Sequence, residues 1–587
     1  MSRKKLTGYP SKDNPQSVEA TFLERNPIIP SVNIYTLLKL LSMQHKDKAA
    51  VDSLDLKANY GQLLDDAVTI SRALKELGVK KGDIVSISMP NLYQGLAAFF
   101  ACNRIGAVAT FLDAAATPEE IKSYINMFES PIFINYDKDD EYNQNIKDDT
   151  CVRHIITLQS QNVNSISLNN NYKITSNQHS IDFNSLGSIA DYQKKKIELP
   201  HSKKEDALIL FTSGSTGKPK AVVLTNENVI AAEMYAMNTS HTENIKGNKT
   251  LTCVPFSYPY GFVTSALTTL LWGKEAILAP VVNKDTIAYY YAKEPNIVFG
   301  SPALLDLTMR NIPEDQDLSS VELFISGGDF LSEAHAKRAT DFFERHGAIN
   351  IEVGNGSGNA ETVSIGSTPV GVPLRQETAG KLLVGTRNMI VDPDTMEEKT
   401  YGEEGMLCSS GKHVFKEYYR NPELTAESKF KRDGIEYYKT GTLGSIDEDG
   451  YFSITGRESR FYIMSSLNKV YCDKVQGIIS TFDCVRDCAV VKVPDEENLY
   501  VNKAYVVLNP EYFPTEDTKE EINARFYIPT MLGGRMTQLK PYEIPTYIEF
   551  IDELPRKEGS EKVDYQALEQ DAIKKLPQSK QLKKVDN

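Results

Sequence analysis

Apolar residues recur along this chain with two alternating periods. Positions 34–43, Ile-Tyr-Thr-Leu-Leu-Lys-Leu-Leu-Ser-Met, carry helical spacing. So do positions 63–77, which run out at Gly78, a residue suited to a helix C-terminus. Short β-branched runs predict strands over 83–89 and 107–112, with a helix over 91–102 between them. Residues 138–204 are charged and Asn/Ser-rich, and predict a surface excursion around a few short strands. Alternation then resumes. Strands are predicted over 208–211, 221–225, 250–255, 275–278, 297–299 and 321–326, and helices over 262–271 and 301–309. Such alternation predicts parallel sheets covered by helices, an α/β fold. Short strands and Gly turns dominate 380–455, a β-rich subdomain, and a small α/β unit closes the chain. The polar, Lys-rich end over 574–587 predicts a frayed tail.

Size and charge narrow the picture. A chain of 587 residues is too long for one core and implies at least two domains. Its 41% apolar and 25% charged residues are those of an ordinary globular protein. A formal net charge of −14 argues against a general nucleic-acid-binding role, which wants a basic face. The seven cysteines, at 102, 151, 253, 408, 472, 484 and 488, are odd in number and lack metal-ligand spacing. They read as reduced thiols of a cytoplasmic protein. The N-terminus has basic residues with no apolar segment behind them, so no signal peptide is expected. The most apolar stretches, 96–111 and 260–271, are interrupted by Asn103 and Arg104 or by Thr and Ser, so no transmembrane segment is expected.

Chemistry concentrates between two of the predicted strands, in Leu208-Ile-Leu-Phe-Thr-Ser-Gly-Ser-Thr-Gly-Lys-Pro-Lys220. Gly214 and Gly217 let the backbone approach a ligand closely. Exposed N–H groups, the hydroxyls of Thr212, Ser213, Ser215 and Thr216, and the cations Lys218 and Lys220 suit a polyphosphate. It is not a Walker loop: two residues, not four, separate its glycines, Pro219 follows Lys218, and a strand rather than a helix comes next.

This string resembles the phosphate-binding signature of the adenylate-forming superfamily, which includes acyl-CoA synthetases, luciferases and adenylation domains of peptide synthetases. Further segments match in order: Thr378-Ala-Gly-Lys381, Gly402-Glu-Glu-Gly405, Tyr418-Tyr-Arg-Asn-Pro-Glu-Leu-Thr425, Tyr438-Lys-Thr-Gly-Thr442, Gly456-Arg457 and Leu554-Pro-Arg556. The last runs Lys562-Val-Asp-Tyr-Gln-Ala-Leu568, so the likeness covers about 34–568. The resemblance implies a large N-terminal domain, 1–455, of stacked αβ subdomains plus a β-rich subdomain, and a small C-terminal α+β lid, 456–587. It implies ATP-dependent activation of a carboxylic acid as an acyl-adenylate, with transfer to coenzyme A or a phosphopantetheinyl carrier protein. By the same resemblance Thr212, Ser213, Gly214, Ser215, Thr216, Gly217, Lys220, Gly328, Asn359 and Arg457 hold the nucleotide. Glu361 holds Mg²⁺, and Lys562 is catalytic. Tyr258, Gly261 and Gly327 adjoin the carboxylate substrate. The segment 254–262 is aromatic and lacks the acid that would hold an ammonium, which favours an acyl or aryl acid.

The departures lie around the nucleoside and on the thiol side. Thr442 stands where the family has an Asp for the ribose hydroxyls, and Ser357 where it has an aromatic residue against adenine. Ala360 replaces a Thr, Tyr258 a His and Glu561 a Gly, while Arg460 falls at the hinge position. The loop 465–469 replaces a Gly-rich one. Loss of the Asp–ribose pair would cost about 2–4 kcal/mol of ATP binding. Two readings result: a ligase with a remodelled pocket, or a catalytically impaired nucleotide-binding scaffold or regulatory partner.

Overall fold

The computed structural model describes residues 6–18, 20–162, 179–190, 202–212, 220–240, 247–328, 331, 333–457, 460–465, 469–480, 482, 484–495, 498–512, 543–556 and 563–575. Two large sheets carry the first two thirds of the chain. The eight-stranded sheet runs Glu417–Tyr418, Lys220–Thr225, Asp206–Thr212, Val108–Leu112, Ile84–Ser88, Ile132–Tyr136, His154–Leu158 and Ile181–Asp182. It is parallel from Asp206–Thr212 onward, and antiparallel at the two strands on the other side. The seven-stranded sheet runs Glu352–Asn355, Leu323–Ser326, Ile297–Gly300, Lys249–Thr252, Glu275–Leu278, Ala49–Ser53 and Leu56–Asn59, with only the last pair antiparallel.

Burial follows from that topology. Ile84–Ser88 and Val108–Leu112 are buried at every position, as parallel strands covered on both faces must be. The helix Tyr93–Ile105 is buried at every position except Arg104. It belongs to one core that takes residues from both sheets and from the helices Tyr60–Glu76 and Asn226–Thr239. A helix enclosed in this way is apolar all round rather than along one stripe. The helix predicted to end at Gly78 does so: Tyr60–Glu76 opens with a capping box from Asn59 and Gln62, and Gly78 takes φ +83°.

Two readings of the pattern need correction. The charged run after 138 contains a helix that the pattern does not predict, beside the short strands it does; residues 163–178 and 191–201 lie outside the described residues. Asp139 accepts from the Tyr142 N–H at 2.8 Å and caps the helix Asp140–Asp148, and His154–Leu158 extends the eight-stranded sheet. Acidic residues there serve a helix N-terminus. The predicted helix over 262–271 begins instead as a π-helix, Tyr260–Leu267, before a short α-turn, Thr268–Leu271.

The β-rich region is an antiparallel sheet of Arg387–Val391, Gly405–Ser410, Ile435–Ile446 and Lys429–Arg432, with Phe452–Arg457 pairing on Ile435–Ile446. Beyond it Val485–Asp495, Leu499–Leu508 and Tyr547–Phe550 form a small sheet, packed with the helices Cys472–Ile479 and Tyr565–Lys575 around cores of its own. Lys574 and Lys575 still belong to that last helix, where Lys575 pairs with Asp571 at 2.9 Å, so they are not part of a tail. All seven cysteines are thiols rather than halves of disulfides. Among the described residues no helix is long and apolar enough to cross a membrane.

One buried histidine makes the fold pH-sensitive. His413 is 1% exposed, edge-on to Tyr235 at 5.7 Å between centroids, and burial pushes its imidazole down to about 4. The unfolded chain protonates it near 6.5, so the folded state binds fewer protons below that pH. The stabilisation is complete above pH 6.5 and is lost as pH falls toward 4, at about 1.4 kcal/mol per unit and about 3 kcal/mol in all. Denaturant titrations from neutral to acid pH should show this limb in the wild-type protein and a flatter one in His413→Leu. Parallel limbs would rule the histidine out as its source.

Candidate active site

In open α/β sheets ligands bind beyond the carboxyl ends of the strands. Here a cleft of 1490 Å³ lies where several strands end, at Asn91, Asp113, Thr212, Ser301, Gly327 and Gly356. Eight of the residues singled out from the sequence line it: Thr212, Lys220, Tyr258, Gly327, Gly328, Asn359, Glu361 and Arg457. Thr212 and Lys220 are paired partners at the end of an antiparallel hairpin, so their side chains flank the Gly-rich loop. Ser213, Gly214, Ser215, Thr216, Gly217 and Lys218, and the catalytic candidate Lys562, lie outside the described residues. Val563, the next residue after Lys562, lines the cleft and bridges to Arg556.

Glu361 is the best-held group in the cleft. Asn359 caps the short turn Ala360–Thr362, and Val363 and Ser364 follow at φ +57° and +60°. This tight reversal requires Gly358, where a Cβ would stand 2.4 Å from the Ser364 carbonyl. The turn leaves Glu361 only 5% exposed. Its Oε1 accepts from the Tyr418 hydroxyl at 2.7 Å, its backbone carbonyl accepts from Phe415 N–H at 2.8 Å, and Tyr438 is a further hydrogen-bonding neighbour. Burial first, then the Glu361 charge, raise both phenols well above their ordinary range, so they remain donors. The Lys220 ammonium lies over the Tyr418 ring, 5.5 Å from its centroid. Lys220, Tyr418 and Glu361 thus form one chain of contacts. Sequence reasoning used the motifs around Tyr418 and Tyr438 only as markers of order and assigned neither a role.

The opposite wall comes from the β-rich sheet. Thr440 and Gly441 line the cleft, and Asn359 Nδ2 donates to the Thr440 carbonyl at 3.4 Å. Thr442 pairs across the strands with Arg457, and its N–H donates to Thr440 Oγ1 at 3.1 Å. Arg457 N–H donates to Asp473 Oδ2 at 3.0 Å, at the start of the helix Cys472–Ile479. Arg460 pairs with the same Asp473, donates to the Val490 carbonyl at 2.8 Å and stacks on Tyr565 at 3.4 Å. The two arginines therefore fasten the end of the β-rich sheet to the small C-terminal sheet and its helices.

Among the residues expected near the carboxylate, Tyr258 and Gly327 face the cleft and Gly261 does not. Gly261 is a packing requirement: a Cβ there would lie 2.2 Å from the Val254 carbonyl and 2.3 Å from that of Pro255. Phe262 is core, 0% exposed and 4.4 Å from Phe111 between centroids. Tyr260 lines the cleft, covers Gly327 and donates to the Ile325 carbonyl at 2.7 Å.

The family model for AMP-binding enzymes matches residues 41–419, and that for their C-terminal domain matches residues 474–562. The chain belongs to the AMP-binding enzyme family. This AMP-binding enzyme is similar to the long-chain-fatty-acid–CoA ligase of Bacillus subtilis (strain 168), at 26% identity over 90% of this chain and 92% of that protein. It is likewise 26% identical to the medium-chain fatty-acid–CoA ligase of Escherichia coli (strain K12), over 90% of this chain and 88% of that protein. Among solved structures it superposes on ATP-bound MatB from Rhodopseudomonas palustris with TM-score 0.75 and 22% identity, covering 92% of this chain and 99% of that one. The anthranilate CoA ligase AuaEII, in complex with anthranoyl-AMP, matches with TM-score 0.75 and 19% identity, over 94% and 98% of the two chains. These structural likenesses carry the fold: a large N-terminal mixed α/β domain and a small C-terminal domain.

Tyr418→Phe tests the Glu361 cluster. It removes one donor from a buried carboxylate and should destabilise the enzyme by about 1–3 kcal/mol in denaturant titration. Tyr419→Phe, on a ring that meets Phe128 edge-on instead, is the control and should cost less. Equal costs would show that the phenol–carboxylate bond contributes little.

Proposed function

We propose that this AMP-binding enzyme uses ATP to activate an acyl or aryl carboxylic acid as its adenylate, releasing pyrophosphate, and then passes the acyl group to a thiol. The observation that carries the reading is the convergence of Thr212, Lys220, Glu361 and Arg457 on one cleft beyond the strand ends. A substrate carboxylate oxygen attacks the α-phosphorus, the bond to the β-phosphate oxygen breaks, and pyrophosphate leaves with that electron pair. Charge builds on phosphate oxygens, and cations already fixed in place stabilise it without reorganising. Lys220 and Arg457 supply two such cations, and Lys562 is assigned as the third, steadying the carboxylate and α-phosphate. In the second half, the thiol sulfur attacks the acyl carbonyl, AMP leaves and the thiol proton passes to solvent. The acceptor is coenzyme A or a phosphopantetheinyl carrier, and the CoA ligases among the relatives favour the former. Residues 456–587 act as a lid that turns between the two halves, over the domain 1–455.

Magnesium fits the groups present. The cleft offers a well-held carboxylate, Glu361, and is also lined by Thr212, and among the described residues no group of three His, Cys, Asp or Glu is set to hold a metal. One carboxylate is what a hard dication needs when phosphates supply its other ligands. When bound, the ion would neutralise phosphate charge. Tyr418 and Tyr438 keep Glu361 aimed for it.

The acid class follows from what the segment 254–262 lacks. Tyr258 faces the cleft, and this segment brings no carboxylate to hold an ammonium. A second reading, a nucleotide-binding scaffold without turnover, draws on Thr442. It is paired with Arg457 and brings no carboxylate for a ribose.

ATP–pyrophosphate exchange over fatty, aromatic and amino acids decides between them. The ligase reading expects exchange with a fatty or aromatic acid, and a loss on the order of 100-fold or more in Lys562→Ala. Normal exchange in that variant would remove Lys562 from the mechanism. Folded protein that binds ATP and exchanges with no acid would establish the scaffold reading. Thermal shift adds a second arm. The ligase should be stabilised by ATP as wild type, whereas a scaffold that lost binding would respond only as Thr442→Asp.

A further inference from the structure

One arm of the cleft runs along a helical segment. Tyr260, Thr264, Thr268 and Trp272 line it at intervals of four residues, from the π-helix Tyr260–Leu267, the turn Thr268–Leu271 and the residue that ends it. In a regular α-helix a row at that spacing drifts about 40° round the axis at each step. A π-helix has more residues per turn, so the first part of the segment offsets that drift and keeps the row on one face. The row begins at the site, where Tyr260 covers Gly327 and donates to the Ile325 carbonyl at 2.7 Å. It ends at Trp272, on the order of 15–18 Å further along the axis.

The hydroxyls along this arm are already engaged. Thr264 Oγ1 donates to the Ser364 carbonyl at 3.2 Å. Thr268 Oγ1 lies 3.0 Å from the Val263 carbonyl and 2.8 Å from the buried Glu233. Ser240 and Thr368 set their hydroxyls 3.5 Å apart. Ala236 adds a methyl group from the helix Asn226–Thr239. Phe299, Ile325 and Val370 add apolar side chains, in a cluster against which Tyr260 and Trp272 also pack. Trp272 Nε1 is covered by the protein itself, so the surface that the indole gives to the arm is hydrocarbon. None of the residues lining this arm is charged. A polar group drawn in would give up water for partners that are already spent, whereas an apolar one would not.

Trp272 is anchored through its backbone. Tyr60, 2% exposed, sets its hydroxyl 3.0 Å from the Leu270 carbonyl and 2.8 Å from that of Lys274, two residues to either side. Between them Gly273 turns at φ +70°, and its carbonyl accepts from Lys48 Nζ at 2.6 Å. We infer that the acid activated here carries an extended apolar tail lying along this row, and that Trp272 closes the arm and sets the longest tail admitted. The inference rests on the adenylation reading above, and names the substrate class and a specificity-determining residue within it. Each methylene buried along the row strengthens binding until the tail meets the indole, and beyond that point overpacking reverses the gain.

Pyrophosphate exchange with straight-chain acids of increasing length, beside benzoic acid, tests this. In the wild type kcat/KM should climb by up to about fourfold per methylene, then drop by about tenfold or more past a limiting length. Trp272→Ala should move that limit to longer acids by about two carbons or more, and the milder Trp272→Phe should move it less. The position of the limit is the readout because loss of folded protein lowers every rate and leaves the shape of the profile unmoved. A wild type that exchanges benzoic acid best, or whose profile has no rise or no limit, overturns the inference and leaves adenylation standing. So does a limit that stays in place in both variants. No exchange with any acid from folded protein overturns the adenylation reading and this one with it.

Discussion

A buried carboxylate must be satisfied, and the way Glu361 is satisfied organises the centre of this molecule. Its donors and neighbours arrive from three directions. Tyr418 comes from the edge strand that pairs with Lys220–Thr225, Phe415 from the loop before that strand, and Tyr438 from the β-rich sheet. Removing either phenol leaves the buried carboxylate short of a donor, and losing the Phe415 N–H leaves the backbone carbonyl of Glu361 unpaired, each a costly vacancy in a buried site. One side chain therefore fixes the hairpin around the Gly-rich loop, the turn after Glu352–Asn355 and the β-rich sheet relative to one another. The same geometry brings Lys220 over Tyr418 and into the cleft. Positive charge and carboxylate are held close without neutralising each other in a direct ion pair, which leaves both able to act on a ligand.

Much of this was legible in the sequence because it is local. Strands such as Ile84–Ser88 and Ile297–Gly300 are short apolar runs between breakers, and the helix before Gly78 announces both of its ends. The Gly-rich loop is visible as chemistry because glycines, hydroxyls and lysines together have few structural uses. The helix Asp140–Asp148 was missed because acidic residues at a helix N-cap have the composition of a loop. Gly261 misled for a related reason. A glycine beside a site reads as room for a ligand, whereas here the room is taken by the chain's own carbonyls.

What was not legible is long-range. Tyr418 and Glu361 are 57 residues apart, and nothing in either neighbourhood reports the other. Glu233 sits in Ala-Ala-Glu-Met, where a glutamate ordinarily marks the solvent face of a helix. Only the packing of Asn226–Thr239 into the shared core shows that this face is enclosed. The π-helix at Tyr260–Leu267 is equally invisible to periodicity, because an irregularity of one residue per turn shifts the apolar stripe rather than abolishing it.

The Arg457 side of the cleft is arranged by a different logic from the Glu361 side. Around Glu361 the holding contacts come from core residues of the large domain, Tyr418, Tyr438 and Phe415. Around Arg457 the holding contacts also join the two parts of the chain. Asp473 receives the backbone N–H of Arg457 and the side chain of Arg460, and Arg460 continues to Val490 and Tyr565. A cation committed to that network cannot be redirected to a ligand without loosening the attachment of the small C-terminal sheet. Arg457 is different. Only its backbone is engaged by Asp473, and its side chain lines the cleft. Thr442 faces it across the strand pair with a hydroxyl and no charge, so the guanidinium has no carboxylate there to neutralise it. Under the proposed function, a threonine where the resemblance expects an aspartate gives up a charged acceptor for hydroxyls and leaves a stronger positive field for phosphate. That exchange would shift the work of holding a nucleotide from its sugar to its phosphates.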